Sequence, residues 1–238
     1  MSTPRIGMVL PSLNTIAEDD FRTFCPVPYH VHRIRLRKEA GRVTTESLMR
    51  AYLEATEEAE LAADMGPDAI VFNCTGASVA FGGDCDARLA RRMTERLGIP
   101  ATNTMVAIKA ALAALRAENI LHICPFTGEF SQIERESLIA SGFTVKSTVS
   151  LGFLDAKAAA LMEPGQIAES VRGRIDDSIG AVLLSCANVR AFEAADALES
   201  AIGRPVVTSN QAVLWAVLRA AGWTGEISGA GGLFHADR

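Results

Sequence analysis

Short apolar runs alternate along this chain with longer stretches in which apolar residues recur every three or four positions. Runs such as Ile6–Leu10, Ala69–Phe72 and Ile120–Cys124 predict buried strands. Stretches such as 45–66 and 103–117 have helical spacing. Strands that alternate with helices are typical of parallel sheets covered by helices on both faces, so the pattern predicts an α/β fold.

The second half of the chain repeats the order of the first. Cys74 and Cys186 each end a strand-like run, and they lie at nearly the same distance from Ile6 and Ile120, where the two halves begin. After each cysteine and its following helix comes a similar phrase, LGIPATNTMVAIKAAL in the first half and IGRPVVTSNQAVLWAV in the second. A repeat on this scale predicts two similar βα units.

From this repeat we expect two pseudo-symmetric parallel-sheet αβα domains with the functional site in the cleft between them. The N-terminal α/β domain is predicted to comprise residues 1–102 together with 208–238. The C-terminal α/β domain is predicted to comprise residues 103–207.

Composition excludes several classes of function. The 238 residues are 49% hydrophobic and 21% charged, which is typical of a globular protein, and the net charge of −5 with no basic stripe argues against a nucleic-acid partner. No apolar run is long enough to span a membrane, and the first residues do not resemble a secretion signal. Five cysteines without paired spacing fit a reducing compartment, so we expect a cytoplasmic protein.

Cys74 and Cys186 are the strongest candidates for chemistry. Each follows a predicted buried strand directly, and ligands of parallel sheets bind beyond the carboxyl ends of the strands. The small and polar residues after each cysteine indicate turns whose N–H groups bind an anion and lower the pKa of the thiol. Because the two units are similar, we expect both thiols to face one cleft, with Asn14 and Phe126 at the same rim. The turn residues that we expect at this site are Thr75, Gly76, Ala187 and Asn188.

Other reactive residue types lack a recognisable arrangement. We interpret Cys25, Cys85 and Cys124 as small buried hydrophobic residues. The histidines have no metal-ligand spacing and are interpreted as structural: His30, His32, His122 and His235. No glycine-rich phosphate loop and no Gly-x-Ser-x-Gly turn is present, so we expect neither a metal nor a cofactor.

Four segments, IGMVLPSLNT, NCTGAS, SCANVRAFE and TSNQAVLWAVLRAAG, resemble the maleate cis–trans isomerase branch of the aspartate/glutamate racemase superfamily. That branch also includes arylmalonate decarboxylases and ectoine-utilisation proteins. The resemblance covers nearly the whole chain. It implies a cofactor-free site between two pseudo-symmetric domains, a small carboxylic-acid substrate, and a homodimer or higher homo-oligomer.

The resemblance also implies roles for individual residues. Cys74 matches the nucleophile of maleate isomerases and Cys186 the cysteine that handles protons, whereas Asn14 and the backbone after each cysteine match the groups that hold the substrate carboxylates. Arylmalonate decarboxylases keep only the second cysteine, so the presence of both favours an isomerase or racemase.

Two positions depart from the family pattern. Phe126 stands where the family commonly has a tyrosine that binds a carboxylate, and we expect the neighbouring Thr127 to take over this contact. Asp155 and Lys157 lie where isomerases have an asparagine. The leading hypothesis is therefore a maleate isomerase-like enzyme that uses a cysteine thiolate. The alternatives are a two-cysteine racemase, an arylmalonate decarboxylase-like enzyme and a non-catalytic dicarboxylate-binding protein.

Overall fold

Two four-stranded parallel sheets form the centre of the protein. The computed structural model describes residues 3–126 and 128–236. The first sheet has the strand order β2-β1-β3-β4 and the second the order β6-β5-β7-β8, so the two halves have the same topology. The strands are β1 (Ile6–Pro11), β2 (Tyr29–Ile34), β3 (Ala69–Phe72), β4 (Ala101–Asn103), β5 (Asn119–Phe126), β6 (Thr144–Phe153), β7 (Ala181–Leu184) and β8 (Val206–Thr208). The predicted fold, an α/β protein with two similar parallel sheets, is confirmed.

Helices connect the strands in each half. They are α1 (Ala17–Phe24), α2 (Thr45–Ala63), α3 (Thr75–Ser78), α4 (Cys85–Leu97), α5 (Thr104–Ala114), α6 (Gly128–Ala140), α7 (Ala156–Ala160), α8 (Pro164–Val171), α9 (Ala195–Ile202) and α10 (Ser209–Ala220). Short 3-10 turns cover residues 192–194 and 232–235. Across the residues described, no helix combines the length and the apolar character that crossing a membrane requires.

The repeated phrase has a capping side chain at the matching position in both halves. The Asn103 side chain accepts a hydrogen bond from the backbone of Val106 at the start of α5, and Thr208 does the same for Gln211 at the start of α10. The preceding helices α4 and α9 both end at a glycine with positive φ, Gly98 at 68° and Gly203 at 64°. These local devices start and stop matching elements at matching places.

Helices α5 and α10 pack against each other in a core that also contains residues of both sheets. The apolar residues Met105, Ile108 and Leu112 of α5 are fully buried there. Two further apolar clusters contain the helices α2 and α4 of the first half and the helices α8 and α9 of the second. The α5–α10 pair therefore joins the two halves, and the division of the chain into residues 1–102 with 208–238 and residues 103–207 stays a prediction.

Several elements differ from the sequence-based expectation. Helices α1 and α7 were not predicted, and β5 continues two residues beyond Cys124, so that Phe126 is its last residue rather than a residue after it. The helix predicted after Cys186 is divided into a 3-10 turn and α9. These differences lie at element ends and in short connections, where local pattern is weakest.

Candidate active site

A cavity of about 500 Å³ opens at the carboxyl ends of the strands of both sheets. Its wall includes Pro11 at the end of β1, Phe126 at the end of β5 and Phe153 at the end of β6. Eight of the residues that the sequence predicts for the site line this cavity: Asn14, Cys74, Thr75, Gly76, Phe126, Cys186, Ala187 and Asn188. Thr127 lies outside the described residues. The sequence therefore predicts the position of the cavity, whereas the roles of these residues stay predictions.

Cys74 lies between β3 and the short helix α3, for which it is the N-terminal cap residue. Its carbonyl accepts hydrogen bonds from the backbone and the hydroxyl of Ser78, and its thiol accepts one from the backbone of Ala77. The amides of Thr75 and Gly76 fall in the first turn of α3, where no acceptor exists within the helix. Both residues line the cavity.

Cys186 has an unusual backbone conformation. Its φ is +99°, in a region that residues other than glycine rarely adopt. The turn is held on both sides: the Cys186 amide donates to the hydroxyl of Ser209 at 2.9 Å, and the Asn188 amide donates to the Cys186 thiol at 3.3 Å. A residue whose backbone is held in such a conformation is typical of a functional site.

Burial controls the acidity of both thiols. Desolvation raises the pKa of the Cys74 thiol from 9.0 to about 11, against the opposing hydrogen bond from Ala77. Desolvation also raises the pKa of the Cys186 thiol, and the nearby charges of Glu134 and Cys74 raise it further. The expectation that the turn amides lower these pKa values is wrong in net effect, because loss of solvent outweighs one N–H donor at each sulfur.

Asn14 and Asn188 connect the two halves through their side chains. The Asn14 amide nitrogen donates to the carbonyl of Ala187 at 2.8 Å, and its oxygen accepts from the backbone of Ile16 and Ala17 at the start of α1. The Asn188 side chain accepts from the backbone of Thr15 and donates to the carbonyl of Ala156. Both asparagines therefore position the cavity wall as well as facing it.

A buried polar network lies behind the cysteine turns. The Asn210 amide nitrogen donates to Asp20 at 2.6 Å and to the carbonyl of Ala187 at 3.0 Å, and its oxygen accepts from Asn73. Asp20 is 6% exposed, and burial raises the pKa of its carboxyl from 3.8 to about 7. Asn73 and Ala187 are sequence neighbours of the two cysteines, so this network connects both turns.

The wall and the mouth of the cavity differ in character. The rings of Phe126 and Phe130 meet edge-on, with their centroids 6.2 Å apart. Together with Phe153 they form an apolar wall. At the mouth, Lys38 pairs with Asp155 at 3.3 Å, and this ion pair lowers the pKa of the Asp155 carboxyl. Arg42 also lines the cavity. Lys157, in contrast, is not part of the wall.

Glu134 is the residue that sequence reasoning missed. It lies on α6, is 3% exposed and lines the cavity. Its carboxylate contacts His122 at 3.1 Å and Ser185 at 2.6 Å. The sequence around it reads as an amphipathic helix with solvated acidic residues, and no local signal places this glutamate inside.

The remaining cysteines and histidines lie away from the cavity wall. Cys85 and Cys124 are buried, as expected, whereas Cys25 is only partly buried. His32 pairs with Glu58 and His235 with Glu226, whereas His122 contacts Glu134 behind the wall. Among residues 3–126 and 128–236, no three His, Cys, Asp or Glu side chains are grouped as a metal ion requires. The absence of a metal and of a cofactor stays a prediction.

Comparison with known proteins identifies the family. The model of the arylmalonate decarboxylase family matches residues 39–234, most of the chain. The chain belongs to this family. The chain is 28% identical to the arylmalonate decarboxylase of Bordetella bronchiseptica over 93% of this chain and 92% of that protein. It is 25% identical to the maleate isomerase of Pseudomonas putida over 96% of each chain.

The fold of this arylmalonate decarboxylase family member is also that of solved relatives. A variant of the Nocardia farcinica maleate cis–trans isomerase, whose structure contains a covalently bound succinylcysteine intermediate, superposes with a TM-score of 0.88. It is 22% identical, and the superposition covers 100% of each chain. The resemblance to the maleate isomerase and arylmalonate decarboxylase branch is therefore confirmed.

Proposed function

We propose that this protein is a cofactor-independent cis–trans isomerase of a small unsaturated dicarboxylic acid such as maleate, with Cys74 as its nucleophile. One observation carries the proposal: two thiols, each two residues beyond the end of the matching strand of its sheet, line a single cavity. The electrostatic effect of Cys74 on the pKa of Cys186 supports their proximity. The succinylcysteine found in the Nocardia farcinica relative supports covalent chemistry at a cysteine.

The cavity offers positive groups and N–H donors for two carboxylates. The first-turn amides of Thr75 and Gly76 lie at the wall beside Cys74. Lys38 and Arg42 carry positive charge at the mouth. A dicarboxylate therefore meets N–H donors beside the nucleophile and two cations, Lys38 and Arg42, among the acidic lining residues Glu46, Glu129 and Asp155.

Maleate and fumarate carry the same number of protons, so the overall reaction neither takes up nor releases one. The Cys74 thiolate adds to one alkene carbon of maleate, and the π electron pair moves onto the adjacent carboxylate to give an enediolate. The wall amides stabilise this charge, which is the contribution that preorganised donors make. Rotation about the new single bond and return of the electron pair expel the thiolate and release fumarate. Cys186 lies in the same cavity and is proposed to exchange protons with the intermediate.

The resting thiol must first lose its proton. With a pKa of about 11, roughly one Cys74 in ten thousand is a thiolate at pH 7 in the free protein. Thiolate formation is therefore a costly step that the site has to assist.

The direct test is proton NMR of the reduced protein with maleate in deuterated buffer. We expect fumarate to appear with the wild type and with Cys25→Ala, whose thiol lies outside the cavity, and to be absent with Cys74→Ala. Mass spectrometry should detect a succinyl adduct on Cys74. An adduct on another cysteine, or full activity of Cys74→Ala, contradicts the assignment.

A second candidate is decarboxylation or racemisation of a more apolar acid. The wall of Phe126, Phe130 and Phe153 favours it, because phenylalanine donates no hydrogen bond to a carboxylate. In the same NMR experiment, aryl-substituted malonates would lose carbon dioxide, and a racemised acid would gain deuterium at its α carbon. A dicarboxylate that binds without turnover would instead indicate a non-catalytic binding protein.

The assembly is also part of the proposal. We expect a homodimer or higher homo-oligomer in a cytoplasmic setting. Light scattering of the purified protein measures the oligomeric state, and a monomer at micromolar concentration contradicts the expectation.

A further inference from the structure

A buried cluster of three polar side chains lies directly behind the cavity. Glu134 of α6, His122 of β5 and Ser185, which follows β7, are each at most 3% exposed. The Ser185 hydroxyl donates to Glu134 Oε2 at 2.6 Å, and His122 Nε2 lies 3.1 Å from both of these oxygens. The three elements that form the centre of the second half therefore converge on one carboxyl group.

This carboxyl group is costly to bury and is only partly satisfied. His122 is the only basic group that pairs with Glu134 in the described part of the chain. Glu134 Oε1 has no hydrogen-bond partner among the described residues, although Glu134 is buried and lines the cavity. Oε1 is therefore the oxygen of this carboxyl group that the described contacts leave open.

The cluster is coupled to both site thiols. Ser185 is the residue before Cys186, so the serine that holds Glu134 belongs to the strained cysteine turn. The charge of Glu134 acts on Cys74 and on Cys186 and disfavours a second negative charge at either sulfur. The charge of Glu134 therefore acts on the thiols of both cysteines.

We propose that Glu134, held by Ser185 and His122, accepts the proton that leaves the Cys74 thiol when the thiolate forms. The S–H bond of Cys74 breaks and its electron pair stays on sulfur, while an O–H bond forms at Glu134 Oε1. Total charge is unchanged, and expulsion of the thiolate at the end of the cycle returns the proton. The identity of Cys74 as the nucleophile rests on the proposed function.

Charge balance explains why this acceptor suits the site. A thiolate beside an ionised Glu134 would place two negative charges in a buried cavity, and a bound dicarboxylate would add two more. Transfer of the proton neutralises Glu134 at the moment when Cys74 becomes negative, so the site keeps the same charge throughout.

Alkylation of the thiol by iodoacetamide tests the proposal without any substrate. The reagent is small and neutral, and peptide mapping assigns the rate to Cys74. Glu134→Gln keeps the size and the hydrogen-bond acceptor but cannot take a proton. We expect its alkylation rate at pH 7 to fall at least tenfold, and to rise roughly tenfold per pH unit as solvent hydroxide takes over, because the thiolate fraction grows by that factor below the thiol pKa. Because transfer to Glu134 needs no hydroxide, the rates of the wild type and of the control Glu136→Gln, an exposed residue of the same helix, should rise less steeply with pH than the rate of Glu134→Gln.

The opposite result has a definite meaning. If Glu134 merely repels a thiolate, removal of its charge lowers the thiol pKa and makes Glu134→Gln react faster than the wild type at every pH. An equal or faster rate therefore overturns the proposal. Should Glu134→Gln fail to fold, Glu134→Asp provides the measurement: a lower rate with the pH dependence of the wild type is expected, and an unchanged rate overturns it.

Turnover distinguishes this proposal from the proposed function. With an accepted substrate, Glu134→Gln should lower kcat about a hundredfold with KM within about threefold, and the deficit should shrink as pH rises. A deficit independent of pH indicates a purely structural role and overturns the proposal. If no carboxylic acid is turned over by the wild type, the proposed function fails, whereas the alkylation profile still decides the role of Glu134.

Discussion

Asp20→Asn should stabilise this protein at neutral pH and do so only there. Asp20 is buried in α1, behind the turn that follows Cys186, and its carboxyl accepts a hydrogen bond from Asn210 at 2.6 Å. Burial raises the pKa of this carboxyl from 3.8 to about 7, with smaller contributions from the charges of Glu193 and Asp19. Asparagine keeps the acceptor for Asn210 and removes the charge.

The sign and size of the effect follow from the two pKa values. Between pH 3.8 and about 7 the folded protein keeps the Asp20 proton while the unfolded chain has lost it, so the contribution of Asp20 to stability falls as pH rises through this window. At 1.36 kcal/mol per pKa unit, the difference between the two pKa values of Asp20 corresponds to at most roughly 4 kcal/mol of unfolding free energy. Asparagine does not titrate, so the advantage of the variant should grow across the same window.

Urea unfolding of the wild type and of Asp20→Asn at several pH values between 4 and 8, at constant ionic strength, measures this difference. The free energy of unfolding of the variant relative to the wild type should increase by about 2–4 kcal/mol from pH 4 to pH 8. Asp19→Asn is the matched control, because Asp19 is exposed and pairs with Arg22; its effect should stay within about 1 kcal/mol. A difference for Asp20→Asn that does not change with pH refutes the reasoning.

Three further predictions concern the backbone and the buried pairs. Cys186→Gly should be more stable than Cys186→Ala by roughly 1 kcal/mol in urea unfolding, because glycine tolerates a φ of +99° and alanine does not; equal stability contradicts the strain. Ser209→Ala leaves the buried Cys186 amide without its acceptor and should cost about 1–3 kcal/mol by the same assay, with a loss below 0.5 kcal/mol counting against it. Lys109→Met leaves the 2%-exposed Asp86 carboxylate unpaired and should lower stability by roughly 3–5 kcal/mol; Asp86→Asn in the same chain should restore most of it, and no recovery would contradict the pairing.

The sequence predicted most of what depends on local signals. The twin strands could be read because hydrophobic period is a local property. Helix α1 was missed although its signal is present: the Asn14 side chain accepts hydrogen bonds from the backbone just before and at its start, and its first turn is acidic. This helix is short and immediately follows the turn after β1, so its apolar period is too brief to be recognised.

The rest of the site depends on packing that no local pattern contains. Glu134 has the sequence surroundings of a solvated helix face, and only the placement of α6 over β5 and β7 brings it to His122 and Ser185. The raised thiol pKa values have the same origin, because desolvation is set by all the elements that enclose the cavity. Sequence reasoning could identify the cysteines but not their acidity.

The relative position of the two thiols is set by the first residues of α10. The Ser209 hydroxyl accepts from the Cys186 amide and lies 3.1 Å from the hydroxyl of Thr75, the residue after Cys74. The next residue, Asn210, bonds to Asn73 and to the carbonyl of Ala187, which flank the same two cysteines. A movement of one sheet relative to the other would break either the contacts of α10 to Thr75 and Asn73 or its contacts to Cys186 and Ala187, and each involves buried groups that lose a partner. The thiols are therefore held in register by a helix at the join between the sheets, whereas the ion pair of Lys38 and Asp155 at the mouth is exposed to solvent.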